Sequence, residues 1–228
     1  MFTLVRTIIA IPIIFLMFFI LHKKNIFTKK TTPLKVISFL VATELLVVIL
    51  SFFPFENIFM SFKSPQSVFN YLYRNSLQVT QVVQGEKTDF VVAEKRNNRD
   101  DEYTYLILPK CNDGWKIGNG ANINIVNKSF SNNILIVVYQ YEEENEFFIT
   151  VFNCDGGCLT IKDSANNKFV STEQKKEHLE KTFVTYYTCI SDCYDDYSME
   201  VEDEKGTKTT IILSGLLDDG QSMDARLK

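Results

Sequence analysis

The chain has 228 residues, 46% of them hydrophobic, and a formal charge of −4, which is long enough for one sizeable domain. Residues 1–53 hold six of the 24 Lys and Arg and one of the 28 Asp and Glu, so residues 54–228 keep 18 basic and 27 acidic side chains, a formal charge of −9. That balance makes residues 54–228 a poor candidate for binding nucleic acid or anionic lipid through a basic patch, which needs clustered Lys and Arg.

The first predicted element is the apolar run 2–21, whose charge is Arg6; the second is 34–53, with Lys35 and Glu44. Each has the roughly 20 residues that cross a bilayer as a helix. No small-residue cleavage site follows Leu21, which argues against a secretory signal peptide, and Thr32-Pro33 reads as the N-cap and first residue of the second helix. Lys23, Lys24, Lys29 and Lys30 place the loop 22–33 on the cytoplasmic side. Residues 1–53 are therefore expected to form a two-helix transmembrane hairpin in the cell membrane, in contact with the lipid bilayer and with both termini extracytoplasmic. Glu44 is then an intramembrane carboxylate that needs a partner. Arg6 is one candidate, but antiparallel alignment sets it opposite residue 49, so an intermolecular partner or a protonated Glu44 serves equally well.

Residues 54–76 read as a juxtamembrane aromatic segment and a short helix. Phe52, Phe53, Phe55, Phe59 and Phe62 cluster where the chain would leave the hydrocarbon. Ser64-Pro65 supplies an N-cap and first helical residue, and Val68, Phe69, Leu72 and Tyr73 form an apolar stripe ending near Asn75, expected to pack on the following sheet.

Residues 77–228 are expected to be a mainly β, extracytoplasmic domain, an antiparallel meander or sandwich. Runs rich in Val, Ile, Thr, Tyr and Phe predict strands near 78–84, 88–95, 103–109, 115–118, 122–126, 134–141, 146–153, 158–162, 182–189, 194–202 and 207–213. Residues 172–180, with Glu and Lys interleaved, read as a short helix or a solvated loop. Residues 102–115 and 146–158 echo each other weakly, as two hairpins with the same turn chemistry would.

The segment from Phe53 to Tyr71, of the form F-P-x-E-N-x-F-x-S-F-x-S-P-x-x-x-F-x-Y, resembles a group of uncharacterised membrane-anchored proteins of Gram-positive (Firmicutes) bacteria. Asp113-Gly114-Trp115-Lys116-Ile117 and Ile161-Lys162-Asp163-Ser164 look similar too. The resemblance implies a membrane segment followed by a β-rich external region and carries no activity.

Cys154-x-x-x-Cys158 and Cys189-x-x-x-Cys193 each span a predicted hairpin turn, which makes Cys154–Cys158 and Cys189–Cys193 the favoured disulfides outside the cytoplasm, with Cys111 left over. A tetrathiolate zinc site from the same four cysteines is the alternative; otherwise no metal or cofactor is expected. A thiol oxidoreductase would use Cys-x-x-Cys at a helix N-terminus, a spacing not found here. Acidic runs at 142–146 and 192–204 lack an EF-hand pattern and read as solvated strand ends. Histidine catalysis has only His22 and His178 to draw on, and GxSxG, HExxH and GxGxxG are missing.

These observations favour a non-enzymatic, membrane-tethered binding or accessory module over a cell-envelope enzyme, whether a carboxylate-based hydrolase or a thiol oxidoreductase. Its candidate partners are a second membrane protein, recruited through the hairpin, and an envelope protein or polymer. Tyr103, Tyr105, Phe147 and Phe148 are the candidate surface-binding residues.

Overall fold

The computed structural model describes residues 4–23, 37, 39–45, 48, 54–95, 103–118, 123–142, 145–176, 181–191, 197–213 and 225–227. Helix α1 (Leu4–Lys23) carries Pro12 inside it, and residues 37, 39–45 and 48 are also helical; the rings of Phe18 and Phe39 meet edge-on at 6.4 Å.

The two-span transmembrane hairpin is not supported. Among the described residues no helix is long and apolar enough to cross a membrane. The expected localisation, a two-span membrane protein with both termini extracytoplasmic, is therefore not supported. Glu44 is exposed on its helix. The side chain of Arg6, the loop 24–33 and residues 51–53 lie outside the described residues.

A 3-10 turn (Phe55–Ile58) precedes α2 (Pro65–Tyr73). The α2 start is as expected: Ser64, in extended conformation, accepts a hydrogen bond from the Ser67 N–H at 3.2 Å, and Pro65 occupies a position whose N–H would go unused. The helix stops where Arg74 turns left-handed at φ 51°. Its buried stripe, Val68 and Phe69, packs onto the first sheet.

Three antiparallel sheets follow. The first joins β1 (Leu77–Gln84), β2 (Thr88–Lys95), β3 (Tyr103–Cys111) and β4 (Gly114–Trp115) in chain order. The second contains β5 (Ile123–Ser131), β6 (Ile134–Tyr141), β7 (Phe147–Asn153), β9 (Val170–Lys176) and β10 (Lys181–Ile190), in the order β5-β6-β7-β10-β9. The third contains β8 (Leu159–Asp163), β11 (Tyr197–Asp203), β12 (Lys208–Leu213) and β13 (Ala225–Leu227), in the order β13-β12-β11-β8.

Strand alternation stacks these sheets face to face. On β2, Val91 and Ala93 pack under α2 with Leu108, while Phe90 and Val92 face the second sheet and meet Phe148 and Tyr187. The opposite face of the second sheet, with Ile136, Val138, Phe147, Ile149 and Val151, packs on Tyr197, Met199 and Val201 of the third. Thus α2 and the three sheets form four layers with three apolar seams. The outward face of the third sheet is polar, with Lys208 Nζ bonded to Glu200 at 3.0 Å.

The mainly β expectation is met, and most strand positions agree within a few residues. Strand β9 was expected as a helix or loop: its Glu173 points outward from a sheet edge while Thr172 is buried, so interleaved charge here marks one solvated face of a strand. Strand β13 was not anticipated.

The disulfide expectation is corrected. Cys111, Cys154, Cys158 and Cys189 carry free thiols. The premise of a hairpin fails because β7 and β8 belong to different sheets: β7 pairs with β6 and β10, whereas β8 pairs with β11. Cys154 and Cys158 therefore flank a crossover. The Cys154 N–H is drawn to Asn133 O at 2.7 Å and the Cys158 N–H to Glu204 Oε1 at 2.7 Å, with Gly156 and Gly157 at φ 80° and 86° between them. The step from β10 to β11 likewise changes sheets, and Cys193 lies outside the described residues.

Candidate functional site

The four surface-binding candidates divide. Phe147 is fully buried between the second and third sheets, and Phe148 is buried against Phe90. Tyr103 and Tyr105 sit at the rim of the seam between the first and second sheets, where Tyr105 is 38% exposed. Phe90 anchors this seam, with ring centroids of Tyr105, Tyr139, Phe148 and Tyr187 at 5.3–6.0 Å. Burial raises the hydroxyl pKa of Tyr105, reinforced by repulsion from neighbouring Tyr187 and Tyr139 were they to ionise too, and burial also raises Tyr139 and Tyr187. These hydroxyls are neutral hydrogen-bonding groups, as in the 3.0 Å contact of Tyr187 with Thr172.

At the other end of the same seam an open cleft of about 580 Å³ is lined by Glu86, Lys87, Pro109, Cys111, Asn112 and Glu142, among others. The buried carboxylates beside it are already committed. Glu146 accepts from the Lys87 N–H (2.6 Å), the Thr88 N–H (2.9 Å) and the Thr88 hydroxyl (2.6 Å), so it ties the second sheet to the β1–β2 turn. Gly85 leaves room for it, since a Cβ there would press on that carboxylate. Asp89 accepts from Trp115 Nε1 at 2.8 Å and pairs with Lys110 Nζ at 2.9 Å; Lys110 also reaches Gly85 O at 2.6 Å.

The thiols show no activation where a shift is resolved. Burial, with Glu146 nearby, pushes Cys189 up to about 12, and burial and Asp155 raise Cys154. A reactive cysteine needs the opposite shift. Among the described residues no group of three or more His, Cys, Asp or Glu side chains is placed to hold a metal ion. The four-cysteine zinc alternative is not assembled among them, with Cys193 outside their number.

A third feature escaped the sequence reading. Strand β5 ends the second sheet, and among the described residues no strand pairs with its outer edge. The register slips between Ile125 and Asn127, making Val126 an extra, bulged residue. Strict alternation would set Ile125 and Phe130 on opposite faces; the bulge restores them to one face, opposite Tyr139 and Leu135. Both are 60% exposed. Phe130 is also the outer end of an apolar row, because Leu135 stands opposite Phe152, which stacks on Phe183 at 5.8 Å.

Comparison with protein-family models, curated proteins and solved structures gave no match. No family is shown. The functional reading rests on the geometry of the chain itself.

Proposed function

We propose that this β stack is a non-enzymatic binding module that accepts an extended polypeptide segment on the outer edge of β5. The observation that carries the reading is the nine-residue edge strand β5, unpaired on its outer side among the described residues and flanked on one face by exposed Ile125 and Phe130. Backbone N–H and C=O groups that repeat along a sheet edge match another extended chain, and side chains on one face then select it. Catalysis finds less support: the cleft is open, Glu146 and Asp89 are engaged in structural contacts, and the shifted thiols move away from reactivity.

The reading is tested with a fluorescent peptide of alternating threonine and phenylalanine or valine, titrated by anisotropy against the full chain and against Ile125→Asp/Phe130→Asp. Saturable binding that weakens at least tenfold in the double variant, with an unchanged circular dichroism spectrum, supports it. Equal binding by the two proteins contradicts it.

A further inference from the structure

We infer that Lys128 sets the charge preference of the β5 edge, so that the favoured segment pairs antiparallel and carries an apolar residue followed two positions later by an acidic one. This inference rests on the reading of β5 as a docking edge and names the partner's chemistry. Three observations lead to it. Lys128 is exposed, and its cross-strand neighbour on β6 is Val137 rather than a carboxylate. The bulge at Val126 puts Lys128 on the same face as Ile125 and Phe130, as shown by their pairing with Val137, Tyr139 and Leu135. Phe130 ends the apolar row that runs through Leu135 and Phe152.

Residues directly opposite on neighbouring strands share a face and interact. An added strand therefore places one side chain beside Phe130, where an apolar group continues the row, and another beside Lys128, where a carboxylate forms an ion pair. Every pair of named strands among the described residues is antiparallel, and a strand added to β5 continues that pattern; antiparallel pairing reverses the order, so the apolar residue precedes the acidic one by two positions in the bound segment. The acidic setting of the domain as a whole makes a basic segment the default expectation, and Lys128 predicts a local exception to it.

The test uses two synthetic seven-residue peptides that differ at one position. Each alternates threonine with phenylalanine, then glutamate or lysine, then valine. The full chain should bind the glutamate peptide at least fivefold more tightly than the lysine peptide at low salt, the difference should shrink at high salt, and Lys128→Glu should reverse the order. If both peptides bind equally to the wild type and to Lys128→Glu, while Phe130→Asp weakens both, the edge still docks peptides and the role of Lys128 is overturned. If neither peptide binds and Lys128→Val makes the chain self-associate, Lys128 guards the edge against pairing, and both this inference and the reading beneath it fail.

Discussion

The side chain of Asn57 pairs with the backbone of Ile117 as a neighbouring strand would: Nδ2 donates to the Ile117 carbonyl at 2.9 Å, and Oδ1 accepts from the Ile117 N–H at 2.8 Å. Around this pair, Lys116 Nζ donates to the carbonyls of Asn57 (2.7 Å) and Met60 (2.9 Å), and Phe62 and Trp115 exchange two backbone bonds at 2.8 Å. Gly114 permits that bridge, with φ 135° and no Cβ to collide with the Phe62 carbonyl. Glu56, fully buried, accepts from Tyr71 Oη at 3.1 Å. Residues 56–71 of the motif and the Asp113–Ile117 segment, which stood apart in the sequence, thus form one clasp that joins the 3-10 turn and α2 to the β4 end of the first sheet.

Replacing Asn57 by Ala removes a donor and an acceptor at once and leaves the Ile117 backbone unpaired. The expected loss of stability is about 1–3 kcal/mol, read as a lower urea midpoint with an unchanged m-value. An unchanged midpoint would show that water replaces the clasp at no cost.

Glu146→Gln keeps the shape but presents an amide N–H₂ to three donors, of which at most part can be satisfied by the remaining oxygen. A destabilisation of about 1–3 kcal/mol is expected, with Thr88→Val costing less because it removes one of the three bonds. Urea denaturation of the two variants measures the order, and a Gln variant as stable as wild type would contradict the role given to the carboxylate.

Stability should fall in alkali. Tyr105, Tyr139 and Tyr187 have hydroxyl pKa values raised in the folded chain, chiefly by burial. Their contribution is fully present below the unfolded value of about 10 and is lost as pH rises from there towards the folded values. Urea midpoints should therefore begin to fall above about pH 8.5, where the unfolded Cys189 thiol ionises while the folded one is held up to about 12, and fall more steeply above about pH 10 as the tyrosines add to it, with a shallower decline there in Tyr139→Phe. A midpoint unchanged at pH 11 would contradict the buried, neutral hydroxyls.

Free thiols make a direct prediction for alkylation without reductant. Exposed Cys158 and Cys154 should react, Cys154 more slowly because its pKa is raised. Cys189, pushed up to about 12, should resist, since its thiolate fraction at pH 8 is on the order of one in ten thousand. Mass spectrometry of peptides labelled with iodoacetamide reads each site. Labelling of Cys154 and Cys158 that appears only after reduction would restore the disulfide.

Much of the β architecture was legible because period-two alternation and β-branched runs act locally. Strand β2 and the Ser64-Pro65 helix start fell where their residues put them. Partner choice between sheets is non-local, which is why the step from Cys154 to Cys158 looked like a hairpin and proved to be a crossover. The apolar stretches near the N-terminus announced helix correctly at α1, but composition alone overstated what the described helices can span. Phe147 and Phe148 illustrate a further limit: consecutive aromatic residues on a central strand point into two different seams, so both are core. The β5 edge was invisible because the bulge at Val126 breaks the alternation that sequence reading relies on.

Hydrogen–deuterium exchange of the full chain, with and without the glutamate-bearing peptide, addresses the central claim most directly. Docking on the edge predicts slowed exchange of β5 amides, above all across 127–131, with β1 and β9 amides unchanged. Exchange that slows around the Lys87–Asn112 cleft instead, or at no β5 amide while the peptide is bound, would contradict it.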